Sequence, residues 1–274
     1  MTEIPVQWVP HAAILWLSGV LRTVILGSVP HICPLLADVG FVTSRLWLAL
    51  AVTTAFGVIA YSVRGVTLGG AVAGTACASL IYLGLGPAGF ATLVAVFAIT
   101  WLSTRLGSAK KQKLGLAQDK KGRSAGQVFA NIATAALFAA LSSKSSIFAV
   151  AAVAALAEAA ADTSQSEIGE ITSGRAWLIT TFRQVPPGTD GGMTLPGTLA
   201  GAAAASLVAA VGFSAAVLPW RMSLVAAVAG FIGTIVDSLL GATLERRGLL
   251  NNNSVNFLST IAAAAIALSL AALQ

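Results

Sequence analysis

Charged side chains are scarce in this chain of 274 residues: they make up 9% of the sequence, against 57% for hydrophobic residues. Because soluble domains carry about a quarter charged residues, the composition excludes an ordinary soluble domain, a disordered chain and a soluble coiled coil. The mean hydropathy of +0.86 and the 27 glycines, with many alanines, are typical of helices that pack closely in lipid. The sequence therefore predicts a polytopic membrane protein.

Cysteine and histidine are also rare. Cys33, Cys77, His11 and His31 are the only residues of these two types, and each stands alone in the sequence. This excludes a disulfide framework, a thiolate zinc site and a histidine cluster. The first residues contain Glu3 and no basic run, so we do not expect a cleaved signal peptide.

Several apolar stretches have the length of a membrane span, for which about 20 residues are needed. They are Leu46–Val63, Leu68–Gly84, Pro87–Arg105, Gln127–Leu141, Ser146–Ala161, Gly197–Leu218, Ser223–Leu244 and Val255–Leu273. A weaker stretch, His11–Val29, is interpreted as a further span or an interfacial helix. The absence of strict alternation favours helices over a barrel. We expect an all-α transmembrane bundle of about seven to nine helices, with residues 1–45 as an extension and 46–274 as the integral membrane domain that carries the site.

The net charge of +6 is concentrated in one place. Seven of the sixteen lysines and arginines lie between Arg105 and Arg123. A short basic loop between apolar segments is typical of the cytoplasmic side, so we interpret it as a topological signal rather than a nucleic-acid site. Alternation of the spans then places Asp162–Pro196 and Glu245–Asn253 on the same, cytoplasmic side of an inner or plasma membrane.

Acidic residues gather at those predicted cytoplasmic ends. Glu158 and Asp162 are four residues apart, so they share a helix face. Asp237 interrupts an apolar span, where a lone carboxylate costs about 2.5 kcal/mol or more. Two interpretations stay open: Asp237 pairs with an arginine such as Arg247, or it holds a divalent cation jointly with Asp162 and Glu167. An oxygen-rich site of this kind suits Mg²⁺ that carries a nucleotide phosphate.

A glycine-rich stretch, residues 185–194, lies between two predicted helices. Backbone N–H groups of such loops, together with a helix N-terminus, bind anions, although the ending of a Walker A loop is missing here. We predict a phosphate cradle, with a simple tight turn as the alternative. The predicted phosphate-binding residues are Arg123, Arg175, Thr181, Arg183, Gly188, Thr189, Asp190, Gly191, Gly192, Asn131, Asn252 and Asn256. For the asparagines, hydrogen bonding between packed helices is the alternative role.

Several of these motifs occur together in one order. They are the stretch from Leu178 to Gly201, Lys121-Gly122-Arg123, Asp162-Thr163 with Ser166-Glu167-Ile168-Gly169, Gly174-Arg175, Asp237-Ser238-Leu239-Leu240-Gly241-Ala242, and Asn251-Asn252 with Val255-Asn256. Over about Leu46–Leu273 the chain thereby resembles the membrane-embedded phytyl-phosphate kinase family, which also includes vertebrate TMEM-type homologues. It departs from the family pattern at Asn253, where an acidic residue is expected.

The resemblance implies transfer of a phosphoryl group from CTP or another nucleoside triphosphate to an isoprenoid monophosphate, which gives the diphosphate. Asp162, Glu167 and Asp237 are then the catalytic, Mg²⁺-binding residues. The expected partners are the isoprenoid monophosphate, the nucleotide and membrane lipids, with no nucleic acid. Two other functions stay open: a CTP-dependent cytidylyltransferase acting on a lipid phosphate, and a carrier for lipid phosphates or ions. The length of the isoprenoid chain and the oligomeric state are left open as well.

Overall fold

The fold was obtained as a computed structural model that describes residues 32–106, 122–172 and 175–274. The stretch His11–Val29 and the lysines of the basic loop lie outside the described residues. The chain divides into two compact units, Met1–Leu48 and Ala49–Gln274, and the site lies within the second.

Helices dominate the described residues. They are α1 (Ile32–Ser62), α2 (Leu68–Arg105), α3 (Ala125–Leu141), α4 (Ile147–Thr172), α5 (Leu195–Ser214), α6 (Trp220–Leu240) and α7 (Asn252–Ala271). A π-helical turn, Gly241–Glu245, follows α6, and the strands β1 (Ala176–Leu178), β2 (Gln184–Val185) and β3 (Gly192–Met193) form a small antiparallel sheet in the order β2-β1-β3. Six of these helices are long and apolar enough to cross a membrane, and α3 is a shorter apolar helix. The predicted all-α transmembrane bundle is confirmed.

Helix α2 is broken in its middle. Its 38 residues would extend about 57 Å if straight, nearly twice the thickness of a bilayer's hydrocarbon core. The backbone leaves the helical region at Gly86 (φ 69°, ψ −166°), directly before Pro87, which has no N–H to donate. This break lies where the sequence separates two predicted spans.

The chain reverses direction at this break. The indole of Trp101, near the end of α2, donates a 3.3 Å hydrogen bond to the carbonyl of Val63, which precedes the start of the same helix. Both ends of α2 therefore lie together, and each half has the length of one span. The separate predicted spans Leu68–Gly84 and Pro87–Arg105 correspond to these two halves.

Helix α4 is the central helix of the bundle and contacts α2, α3, α5, α6 and α7. Its residues from Ala149 to Ala161 are buried on all sides. Small side chains permit this packing: a Cβ added to Gly230 of α6 would lie 3.0 Å from the backbone nitrogen of Glu158. Because lipid tails are as apolar as the helices, such close van der Waals contact drives association in the membrane.

The predicted end of this helix was wrong. The sequence places the end of the span at Ala161 and a loop from Asp162 onward, whereas α4 continues to Thr172. Polar residues in the added turns face other helices instead of water: Ser164 hydrogen-bonds Ser103 at 3.1 Å, and Gln165 donates to Ser238 at 3.2 Å.

The polar segments gather at one end of the bundle, which we call the polar end. It comprises residues 122–124, 162–172, 175–194 and 241–252. Arg123 contacts Thr163, and Gly191 packs directly against Ala242, so these segments touch one another. The opposite end carries the break at Gly86 and the connections between α3 and α4 and between α5 and α6.

Candidate active site

Two cavities adjoin at the polar end. The polar cavity has a volume of about 230 Å³ and lies between the glycine-rich loop, α4 and the facing ends of α6 and α7. The apolar cavity has a volume of about 590 Å³ and lies between α1, both halves of α2, and α3. Arg123, Gln127, Asn131 and Glu167 line both cavities.

Arg123 is held at the junction by its backbone. Its N–H donates to the carbonyl of Gly65 at 3.0 Å, and its own carbonyl accepts from the N–H of Thr67 at 3.0 Å. Ser124 then caps α3 in a capping box with Gln127, which satisfies two helix donors. Because Ser124 caps the helix, the arginine directly before it is held next to the start of α3, where it lines both cavities.

The guanidinium of Arg123 remains a cation at this position. It donates to the hydroxyl of Thr163 at 3.1 Å. Burial lowers the pKa of Arg123, and the nearby Asp162 carboxyl partly opposes that effect. An arginine side chain is not deprotonated in proteins, so Arg123 can fork onto phosphate oxygens as a cation.

A group of carboxyls lies deeper, between α4 and α6. Because α4 is continuous, Glu158 and Asp162 do share one face, and Asp237 of α6 faces them. Asp162 and Asp237 interact directly through their side chains, and one buried oxygen of Asp237 has no hydrogen-bond partner. Two carboxylates this close repel each other, so a cation or a proton between them is favoured.

An arginine partner for Asp237 is not observed in the described part of the chain. The side chains that interact with its carboxyl are those of Asp162, Ser259 and Glu245. Arg247, the arginine considered as a partner, is exposed. This favours the cation interpretation of Asp237 over the ion-pair interpretation.

The predicted triad of metal ligands is not assembled as such. Glu167 lies five residues after Asp162, which is about 140° around the helix, so it points toward the apolar cavity as well. Among the described residues, no three Asp, Glu, His or Cys side chains form a group that could hold a metal ion. The structure brings together Asp162 and Asp237, while Glu167 borders the same polar cavity from another side.

The glycine-rich loop packs tightly on the end of α6. Gly188 (φ 80°) and Gly191 (φ 72°) adopt the left-handed conformation that favours glycine. A Cβ added to Gly191 would lie 2.6 Å from the carbonyl oxygen of Ser238. Gly192, the first residue of β3, is not left-handed, but it is closely packed as well: an added Cβ would lie 2.8 Å from the carbonyl oxygen of Thr189.

We expect Gly191→Ala to destabilise the protein more than Gly248→Ala. Both glycines have φ near +70°, so each alanine costs about 1–2 kcal/mol of backbone strain. Only at Gly191 does the new methyl group overlap neighbouring backbone, since nothing lies within 4 Å at Gly248. Thermal unfolding midpoints in detergent measure the difference. Equal midpoints for the two variants would contradict the packing of the loop on α6.

Most of the predicted site residues line the polar cavity. They are Arg123, Asn131, Asp162, Glu167, Gly188, Thr189, Asp190, Gly191, Gly192, Asp237, Asn252 and Asn256. Sequence reasoning missed other lining residues, namely Gln127, Gln165, Glu170, Ser238, Gly241 and Glu245. Extending the face of α4 past Ala161 would have revealed Gln165 and Glu170.

Three predicted residues do not line the cavity: Arg175, Thr181 and Arg183. The hairpin between β1 and β2 carries Thr181 and Arg183 away, with the N–H of Leu178 donating to the carbonyl of Arg183 at 2.9 Å. Arg175 directly precedes β1 and is exposed. The hydroxyl of Thr181 accepts from the N–H of Arg183 at 3.4 Å, so it stabilises the turn. These three residues are therefore close to the loop glycines in the sequence but do not border the polar cavity with them.

The asparagines at the start of α7 divide into two groups. Asn251 caps the helix by accepting from the N–H of Ser254 at 3.0 Å, and Asn253 lies against Gly126 of α3. Asn252 and Asn256, one turn apart, line the polar cavity. Asn251 and Asn253 therefore stabilise the helix start and its packing, and Asn252 and Asn256 are the two that remain candidates for phosphate binding.

The fold and the site define an integral membrane protein with a polar, acidic site at one end of a helical bundle. The sequence model of the family described as integral membrane protein DUF92 matches residues 51–264, and the chain belongs to this family. The match and the relatives below confirm the family resemblance predicted from the motifs.

Three relatives illustrate the similarity. An uncharacterized membrane protein of Synechocystis sp. is 32% identical over 70% of this chain and 78% of its own length. An uncharacterized membrane protein of Methanocaldococcus jannaschii is 36% identical over 62% of this chain and 70% of its own length. The chloroplastic protein VTE6 of Arabidopsis thaliana is 30% identical over 72% of this chain and 62% of its own length. No solved structure matches the chain significantly.

Proposed function

We propose that the protein is a kinase that transfers a phosphoryl group from CTP or another nucleoside triphosphate to an isoprenoid monophosphate. One observation carries this proposal: a cavity lined by an arginine and by the paired carboxyls adjoins an apolar cavity within the bundle, and four residues line both cavities. The resemblance to phytyl-phosphate kinases gives the same reaction class.

In the proposed reaction an oxygen of the acceptor phosphate attacks the γ-phosphorus of the nucleotide. A new P–O bond forms, the bond between the γ-phosphorus and the bridging β-oxygen breaks, and the nucleoside diphosphate leaves. Because the acceptor phosphate is already ionised, no general base is needed. Phosphoryl transfer depends mainly on positioning and charge neutralisation. Arg123 is placed to bind the acceptor phosphate, and the N–H groups around Gly188 and Gly191 to bind the nucleotide phosphates.

Asp162 and Asp237 fit a divalent cation. Their carboxyls adjoin, and a buried oxygen of Asp237 has no partner. We propose that they hold Mg²⁺ together with nucleotide phosphate oxygens, while Glu167 lines the wall between the two cavities. A bound Mg²⁺ would neutralise the charge of the phosphates during transfer.

We further propose that the polar end faces the cytoplasm, as the basic loop between Arg105 and Arg123 indicates. Single cysteines at Asp190 and Lys144, introduced after Cys33 and Cys77 are replaced by alanine, test this orientation. Both positions are exposed, at opposite ends of the bundle. We expect a membrane-impermeant maleimide to label position 144 in intact cells and position 190 only after permeabilisation. Labelling of position 190 in intact cells would contradict the orientation.

The reaction is tested with purified protein, Mg²⁺, a panel of nucleotides and prenyl monophosphates of several lengths. Mass spectrometry should find a prenyl diphosphate and a nucleoside diphosphate. A cytidylyl-lipid with released pyrophosphate would identify the cytidylyltransferase instead. Unchanged lipid in every mixture, with movement of lipid phosphate across vesicle membranes, would identify a carrier.

A further inference from the structure

We propose that the apolar cavity holds the isoprenoid chain of the acceptor, and that Gly74 determines how long a chain it accepts. This inference rests on the proposed function. It adds the tail-binding site and the residue that sets its capacity.

The apolar cavity begins at the site of transfer and extends into the membrane. On the first half of α2 its lining runs from Gly70, which touches the carbonyl of Arg123, to Ala78. Eight residues of helix correspond to a depth of about 12 Å. A phosphate bound by Arg123 at the mouth therefore directs its attached chain inward, along α2.

The volume of the cavity limits the chain that can be enclosed. With a volume of about 590 Å³, the apolar cavity encloses only a prenyl chain of limited length, and a much longer chain would protrude into the bilayer.

The walls of the cavity are suited to a branched apolar chain. Phe56 of α1 packs edge-to-face on Phe97 and Phe90 of α2, with ring centroids 5.3 and 5.5 Å apart. Phe56 and Phe97 both line the cavity, as do Leu93 and Val96. Since the bilayer is as apolar as these walls, burial alone favours no chain over another. Shape and length therefore decide which chain binds.

Gly74 is the position at which a side chain can enter the cavity without disturbing the bundle. An added Cβ meets only Val128, at an ordinary 3.6 Å. At Gly57, by contrast, an added Cβ would lie 2.5 Å from the hydroxyl oxygen of Thr75. The Cβ of a leucine at position 74 therefore has room, and we infer that the rest of its side chain occupies part of the cavity and shortens it. Ala76, two residues later on the same helix, is exposed and does not line the cavity, so Ala76→Leu is the matched control.

The test compares kcat/KM for prenyl monophosphates of ten, fifteen and twenty carbons. We expect Gly74→Leu to lower the ratio of the twenty-carbon value to the ten-carbon value by at least about tenfold, since an extra hydrophobic group in a pocket discriminates by that factor. Ala76→Leu should keep the wild-type ratio. An unchanged ratio in an active Gly74→Leu protein would overturn the role of Gly74.

A second measurement does not depend on turnover. A twenty-carbon prenyl monophosphate with a diazirine at its far end is photolysed with the protein in the absence of nucleotide, and the adducts are mapped by mass spectrometry. We expect adducts in the peptides that carry Thr53, Ala78 and Leu93, and a loss of these adducts in Gly74→Leu. Adducts confined to lipid-facing residues would overturn the cavity assignment. Labelling inside the cavity without diphosphate formation from any nucleotide would overturn the proposed kinase activity alone.

Discussion

Asp237→Asn is expected to lower turnover about a hundredfold or more while the protein stays folded. Asparagine keeps the shape of the side chain and removes the charge that would hold Mg²⁺ beside Asp162. An ion that neutralises phosphate charge contributes several kcal/mol to transition-state stabilisation, and each 1.36 kcal/mol is a tenfold change in rate. Steady-state turnover over a range of Mg²⁺ concentrations measures the effect, and half-maximal activity should require more Mg²⁺ in the variant.

If Asp237 has only a structural role, the opposite effects on turnover and stability are expected. If the carboxyl served only to join α4 and α6, the variant would unfold at a lower temperature and keep most of its activity. The thermal midpoint in detergent is therefore measured on the same preparation. Near-normal turnover in both Asp162→Asn and Asp237→Asn would contradict the cation site.

Arg123→Ala is expected to raise the KM for the lipid monophosphate about tenfold to a hundredfold. Hydrogen bonds to charged groups contribute about 1.5–3 kcal/mol, and each 1.4 kcal/mol is a tenfold change in affinity. Arg123→Lys should restore part of the loss, because lysine keeps the charge without the planar fork. Steady-state kinetics with the lipid and the nucleotide varied separately show which substrate is affected.

Two further variants serve as controls for Arg123→Ala: one removes its hydrogen-bond partner, and the other removes a positive charge far from the site. Thr163→Val removes the hydroxyl that accepts from Arg123 and leaves the guanidinium in place. Arg221, exposed at the opposite end and stacked on Trp220, supplies a control for loss of positive charge, and Arg221→Ala should keep the wild-type KM. A KM that responds to Arg183→Ala and not to Arg123→Ala would contradict this account. It would favour the sequence-based assignment of Arg183 to the phosphates.

The fold could be predicted from the sequence where local chemistry decides it. Apolar stretches predicted the spans, and the Gly86-Pro87 pair marks the break within α2. The end of α4 could not be read in the same way, because Thr163, Ser164 and Gln165 look like loop residues in isolation. They are helical because Ser103, Ser238 and Arg123 on other elements satisfy their polar groups.

In the site, too, some residues could be predicted from local sequence, and others depend on how distant elements pack together. Asp162 and Asp237 are 75 positions apart, and the cost of a carboxylate in a span was enough to single out the second. Glu167 was grouped with them by its motif, although helix geometry turns it toward the junction of the cavities. The apolar cavity could not be anticipated, because it forms where the break in α2 brings both halves of that helix to the same wall.

The central claim is that the γ-phosphoryl group moves to a lipid monophosphate, and isotope tracing tests it most directly. Purified protein is incubated with a prenyl monophosphate and either γ-labelled or α-labelled CTP, and the lipid product is isolated. The account predicts that label from the γ-position appears in the lipid in a one-to-one ratio with nucleoside diphosphate, and that label from the α-position does not. Transfer of the α-label to the lipid, with pyrophosphate as the other product, would contradict it.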